Sequence, residues 1–350
     1  MKQRRQSITI KHVAADAGVS LQTVSRVINN EPNVRPEMAK KVQASIKKLG
    51  YVPSIAAQRM GGSRSYIIMA LNDRERTIEG WQSQQGTDWV DQMLLGGMLK
   101  CAEHGYRMIF ELVVTHSDHI ERELRAAIAA VQPDGIILTP PHSQNPLIIN
   151  LLAEMRISFA RIGSLTDGPG FKLTMGDDQA ARLATEHFAG LGHKRIGFIA
   201  GSDEYELSKW RIDGWKAAMA AARLPTEGLL VEADFSFASG RAAAIQLLEG
   251  EDRATAIVAC NDQMALATME VARQRRLSIP GDLSLISFDD TPIVHFTHPP
   301  LAAISQPIAA TVARAVELII DQRAGREVPD EPVVVQPGLV LRGSTAAQKH

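Results

Sequence analysis

Apolar positions divide the chain into two textures. Up to Gly62 they fall at helical spacing in short stretches. Val13, Ala14 and Ala17 share one face of a helix predicted from about Ile10 to Ala17, with Thr9 as its N-cap. Gly18-Val19 makes a tight turn, and Ser20 caps a second helix through about Asn29, whose inner face carries Val24 and Val27. Pro36 opens a third helix that runs to Leu49 and stops at Gly50. Pro53 to Met60 is compatible with a further short helix before Gly61-Gly62.

From Ser65 onward, short apolar runs alternate with amphipathic stretches. Strands are expected at Ile67–Leu71, Met108–Val113, Gly135–Thr139, Phe159–Ile162, Arg195–Ala200, Ala256–Ala259 and Leu283–Phe288. Helices are expected at Asp91–Glu103, Ile120–Val131, Gln179–Leu191, Lys209–Arg223, Ala238–Leu248, Asp262–Arg275 and Ile308–Arg323. This alternation predicts an α/β fold with parallel sheets covered by helices on both faces. The units exceed one comfortable sheet, so two similar lobes are expected.

Composition narrows the class. A chain of 350 residues that is 45% hydrophobic fills a core, which excludes disorder and collagen-like structure. No apolar run approaches the ~20 residues of a membrane span. The start, MKQRRQSITIKHVAADAG, is basic but lacks the apolar core and cleavage site of a secretory signal, so a cytoplasmic location is expected. Cys101 and Cys260 are the only cysteines, too few for a disulfide framework or a Cys-rich zinc site, and both read as small core residues.

Charge is unevenly spread. Residues 1–64 hold twelve Lys and Arg against Asp16, Glu31 and Glu37, a formal +9, which leaves −10 on the remainder of a chain whose total is −1. A basic head on an acidic body suits a nucleic-acid reader joined to something else. The head has matching chemistry. Gln22 can hold an adenine edge, Arg26 a guanine O6/N7 edge, and Leu21 a thymine methyl. Thr23, Ser25 and Asn29 are short donors for phosphates. Turn, packing and polar face together describe a helix-turn-helix.

The run ITIKHVAADAGVSLQTVSRVIN, followed by KLGYVPSIAAQRM, closely resembles the head and hinge of the lactose-repressor (LacI/GalR) family of bacterial transcription regulators, and the resemblance extends through nearly the whole chain. It implies four parts: a helix-turn-helix DNA-binding domain at 1–52, a hinge helix at 53–62, a two-lobed periplasmic-binding-protein-like core for ligand binding and dimerisation at 63–342, and a C-terminal tail at 343–350. Leu21, Gln22 and Arg26 then occupy base-reading positions. Thr9, Thr23, Ser25, Asn29, Tyr51, Ala57 and Met60 complete the expected DNA contacts, with Met60 standing where the family usually has a wedging Leu. The hinge is too short to be helical by itself in water.

The same resemblance implies three crossovers between lobes, near residues 163–175, 289–291 and 322–326, and an effector in the crevice at the carboxyl ends of the strands. Arg211, in SKWRIDGW, matches the family's ligand-anchoring Arg; its fork can hold two vicinal hydroxyls or a carboxylate. Asp289, in ISFDD, matches an acid that accepts hydroxyl protons. Asn261 follows a strand and can donate and accept. Phe235 and Trp89 match ring-stacking positions. Two departures stand out. The Asn-Pro-aromatic motif after the first strand is replaced by LNDRERTIEGWQSQQGTDW, a longer polar insertion with Trp81. Gly163 stands where an Asp is frequent, with Arg161 two residues before it.

The expected function is that of a sequence-specific DNA-binding repressor. It acts as a homodimer on pseudo-palindromic double-stranded operator DNA and is controlled by a small molecule, a sugar or related metabolite, with no cofactor, metal or membrane partner. The other readings are a sugar-binding protein without a DNA role, an activator, and a co-repressor-dependent repressor. An enzyme is disfavoured because GxGxxG, P-loop, GxSxG and HExxH motifs are missing. His116, His119 and Glu121 have some metal-ligand flavour but lie at a loop-to-helix start, where a solvated turn is expected.

Overall fold

The computed structural model describes residues 8–28, 34–51, 64–83 and 88–348. The chain divides into two compact units, Met1–Tyr66 and Ile67–His350. The expected hinge at 53–62, with Ala57 and Met60, and the expected contact Asn29 lie outside the described residues.

In the first unit, α1 (Ile10–Ala17), α2 (Leu21–Ile28) and α3 (Pro36–Leu49) enclose a small core of Val13, Ala14, Val24, Val27, Val42 and Tyr51. Gly18 carries the chain out of α1 with φ 65°, a left-handed conformation that costs glycine little. The Ser20 hydroxyl accepts the Thr23 N–H at 3.1 Å, which caps α2 as its position suggested. Buried Ser45 donates to the Val13 carbonyl at 3.3 Å, and Lys48 pairs with Asp16 at 2.7 Å, so α3 is tied to α1.

The second unit holds two six-stranded sheets. The first runs β11 (Val333–Val334), β5 (Phe171–Thr174), β4 (Ser158–Ile162), β3 (Gly135–Leu138), β1 (Ile67–Asp73), β2 (Arg107–Val113). The second runs β12 (Gly338–Val340), β10 (Ala302–Ser305), β9 (Ser284–Asp289), β8 (Ala256–Ala259), β6 (Ile196–Ile199), β7 (Leu230–Val231). Every pairing is parallel except β10 with β12. β1, β3, β6 and β8 are buried along their whole length, as expected of parallel strands covered on both faces.

The chain crosses between lobes three times, and two of the expected positions are corrected. The first crossing, at residues 175–176, follows β5 and ends in Gly176, which leads into helix Asp177–Gly190 of the second lobe. The second is at 306–307, not 289–291, because β9 is followed by β10 in the same sheet before helix Ile308–Arg323 returns to pack on β3 and β4. The third lies at 335–337, not 322–326, because β11 still pairs with β5. The strands that decide this are two to four residues long and flanked by prolines, so they carry no readable alternation.

Two helices longer than a single turn were not expected. Arg74–Ser83 forms inside the polar insertion, and Pro146–Glu154 is capped by Asn145, which accepts the Leu147 N–H at 2.9 Å. Residues 343–348, in the segment expected as a C-terminal tail, are hydrogen-bonded to the second lobe. Ser344 is fully buried, donates to the Leu285 carbonyl at 2.6 Å and accepts the Ala302 N–H at 2.8 Å, which stitches this segment to the second sheet. Among the described residues, no helix is long and apolar enough to cross a membrane.

Candidate functional site

On the head, the solvent face of α2 carries Leu21, 45% exposed, with Gln22 and Arg26 also exposed, while Val24 and Val27 on the other face are buried. Thr23 and Ser25 are half-buried, and the Thr23 hydroxyl lies 2.9 Å from that of Ser20, so it belongs to the cap as well as the surface. Thr9 is exposed at the start of α1, where its N–H donates to His12 Nδ1 at 3.0 Å. Lys11, Lys40, Lys41 and Lys47 are exposed around this helix set. Tyr51, expected among the DNA contacts, is 7% exposed and packs in the three-helix core.

In the core, the carboxyl ends of both sheets face one cavity of about 620 Å³. All five residues picked from the sequence border it: Trp89, Arg211, Phe235, Asn261 and Asp289. Asn72 and Asp73 from the end of β1, Arg76 and Glu79 from helix Arg74–Ser83, Thr139, Tyr205, Asp234 and Asp262 border it too, and these were missed. Asn72 and Asp73 had a signal, since they end a readable strand. Arg76 had none, because the insertion around it shows no periodicity.

Arg211 lies in the first turns of helix Glu206–Ala221 and is 3% exposed. Its Nε donates to Asp177 Oδ1 at 2.8 Å, one Nη donates to the Cys260 carbonyl at 2.7 Å, and the guanidinium lies 4.6 Å from the Phe288 ring centroid. Burial disfavours the charge, and Asp177, together with Cys260 and Asp289, more than offsets this. The approach of helix Glu206–Ala221 to helix Asp177–Gly190 depends on Gly214, where a Cβ would stand 2.1 Å from the Asp178 carbonyl oxygen. Gln306, on the second crossover, also donates to Asp177 at 3.1 Å.

Asn261 has a structural duty. Its side-chain oxygen accepts the Met264 N–H at 2.8 Å and its amide donates to the Phe235 carbonyl at 2.8 Å, so it caps helix Asp262–Gln274 and holds Phe235 in place. Phe235 and Asp289 both have positive φ, 71° and 89°, which for such residues costs roughly 1–3 kcal/mol. Asp262 is buried, accepting from the Thr291 N–H at 2.8 Å and hydroxyl at 2.7 Å and from Ser287; burial still pushes its carboxyl up to about 6. Burial would also raise Asp73, but the N–H of Arg76 and the hydroxyl and N–H of Thr115 hold it below the usual carboxylate range.

A short segment of the second lobe reaches across the cavity rim. Glu204 takes Arg76 at 2.5 Å and lies 2.7 Å from His116 Nε2. Glu206 accepts from the Ser164 hydroxyl at 2.7 Å, the Leu165 N–H at 3.0 Å and the Thr166 hydroxyl. Between them, the Tyr205 ring stacks on Phe235 at 5.6 Å and carries the Arg76 guanidinium 4.6 Å above it. His116 is thus engaged across the lobes, and Glu121 pairs with Arg125 at 2.9 Å; no group of three or more potential metal-ligating side chains is found among the described residues. Arg161 is fully buried and holds the 164–166 loop through Ser143, Ser164 and Thr166; neither it nor Gly163 borders the cavity. Burial pushes the Cys101 and Cys260 thiols up to about 12, consistent with core residues.

Residues 9–54 match the model of bacterial regulatory proteins of the lacI family, and residues 185–345 match a periplasmic binding protein-like domain. The HTH-type transcriptional regulator reg1 of Streptomyces lividans is 31% identical over 351 residues, covering 96% of each chain. The chain belongs to the lacI family of bacterial regulators. Its fold agrees. The solved CelR–cellobiose complex superposes with a TM-score of 0.72 at 26% identity, over 96% of this chain and 99% of that one. The lac repressor dimer bound to operator and the anti-inducer ONPF superposes with a TM-score of 0.76 at 25% identity, over 98% and 100%. As a lacI-family member the chain is a DNA-binding transcription regulator.

Proposed function

We propose that this regulator is a cytoplasmic, homodimeric repressor whose grip on a pseudo-palindromic operator is set by a small sugar bound between its lobes. Leu21, Gln22 and Arg26 read bases. Thr9, Thr23 and Ser25 position the phosphates. Arg211 and Asp289 anchor effector hydroxyls, with Phe235 and Trp89 against the ring faces, and Asn261 orders the Phe235 loop. One observation carries this reading: a single cavity of about 620 Å³, within the usual 300–1,000 Å³ of small-molecule sites, is walled by strand ends of both lobes, so an occupant contacts both lobes at once. A ligand with such differential contacts shifts the balance between lobe arrangements.

Two exposed apolar faces fit a second copy of the chain. Leu95, Met98 and Leu99 are 49–59% exposed on helix Asp88–Glu103, and Phe296 is 83% exposed beside Ile293 on the second lobe. The solved relatives support the sugar and the operator, since one holds cellobiose and another is a dimer on operator DNA.

The test pairs a thermal-shift screen of neutral mono- and disaccharides with a gel shift on DNA from the surrounding genome. A sugar that raises Tm should also change operator affinity. A sugar that binds without altering operator affinity would separate the two halves of the proposal and refute it.

A further inference from the structure

We propose that the effector is an uncharged polyol, and that the cleft excludes phosphorylated and carboxylated sugars. This rests on the reading of the cavity as the effector site. Among the described residues, two cationic side chains border the cavity, Arg76 and Arg211, and each is already held by a carboxylate that is not part of its lining. Arg211 has Asp177 behind it at 2.8 Å, and Arg76 has Glu204 at 2.5 Å. Both guanidinium groups also lie over aromatic rings, Phe288 and Tyr205. Among the described residues, the lining carries five carboxylates, Asp73, Glu79, Asp234, Asp262 and Asp289.

An entering phosphate or carboxylate therefore meets cations whose charge is already answered, and a wall of its own sign. Removing an anion from water into such a wall leaves it without a counter-charge, which is among the most costly arrangements in a protein interior. Hydroxyl groups pay no such penalty. They donate to the carboxylates and accept from the N–H groups of Arg211 that Asp177 and Cys260 leave over. The fork of Arg211 suits vicinal hydroxyls and a carboxylate equally well as an isolated group, and the Asp177 partner decides between them.

The experiment is a thermal-shift and calorimetric panel on the full chain: glucose, galactose, cellobiose, maltose and lactose, with glucose 6-phosphate, glucuronate, galacturonate and inorganic phosphate as charged counterparts. At least one neutral sugar should raise Tm, and its charged counterpart should bind at least about tenfold more weakly, a gap of about 1.4 kcal/mol. Glu204→Gln releases Arg76 and Asp177→Asn releases Arg211; each should narrow that gap or add stabilisation by inorganic phosphate. Because Asp177 is buried, its variant can fail to fold, and Glu204→Gln at the part-exposed rim keeps the test decisive. If glucose 6-phosphate or a uronate stabilises the wild type as well as the neutral sugar does, the inference falls while the effector cavity stands. If no compound moves Tm in the wild type or either variant, the cavity reading falls and takes this inference with it.

Discussion

Helix α2, proposed to read bases, keeps its chemistry on an eight-residue segment: Leu21, Gln22 and Arg26 are exposed and Val24 and Val27 are buried one helical face away. The cavity proposed for the effector draws its lining from positions between Asn72 and Thr291, on strand ends and helices of both lobes. The difference is one of dependence. A reading face on one helix needs only that the helix form and pack. A cavity residue depends on other buried groups to hold it, as Arg211 depends on Asp177, Gly214 and the Cys260 carbonyl. Substitutions on the helix should therefore act on binding with little effect on stability, while substitutions in the cavity wall should act on both.

The sharpest test of that contrast is Arg211→Ala. It leaves Asp177 buried without its cation, which is expected to destabilise the core by about 3–5 kcal/mol in urea unfolding and to abolish the effector response. The paired variant Arg211→Ala/Asp177→Ala should recover part of the stability. A loss confined to effector binding, with the unfolding midpoint unchanged, would show the cavity to be as modular as the helix.

Asp262 gives a pH-dependent version of the same dependence. Its folded-state carboxyl sits near 6, above the ordinary value of 3.8, so the native state favours the protonated form. Its contribution is fully present below about pH 4 and is lost as pH rises through about 6. The expected loss is at most about 3 kcal/mol, and Asp262→Asn should flatten this part of the stability–pH curve. An unaltered curve would place the titration elsewhere.

On the head, Arg26→Ala should cost about 1–3 kcal/mol of operator affinity and relax preference at one base pair, whereas Lys11→Ala should weaken all sequences alike and lower the salt slope by about one. Binding-site selection before and after substitution distinguishes the two, and an unchanged base preference for Arg26→Ala would remove it from the reading face. Ser20→Ala should be the mildest, costing the head about 1 kcal/mol through the lost cap at Thr23 and leaving the core's unfolding transition unmoved.

The same contrast explains what was legible beforehand. α1 and α2 were readable almost to the residue because their signals are local: a cap at Ser20, a left-handed Gly18, and valines at helical spacing. In the core, strands with uninterrupted apolar runs, such as β1 and β8, were equally plain. β10 and β11 were not, and with them went the positions of two crossovers. Tyr51 was expected only as a DNA contact, and its place in the three-helix core came from tertiary packing.

By itself, then, the order of residues determined the helix-turn-helix, the alternating α/β body, the separation of basic head from acidic core, and the five side chains that came to border one cavity. Local backbone preference and hydrophobic period reach no further than a turn or a strand. The tertiary structure alone decided that Asp177 stands behind Arg211, that Glu204 reaches Arg76 from the other lobe, and that Asn261 serves as a cap before anything else. Those pairings join residues 34 and 128 positions apart, and only the closing of two sheets around a shared crevice brings such groups within hydrogen-bond distance.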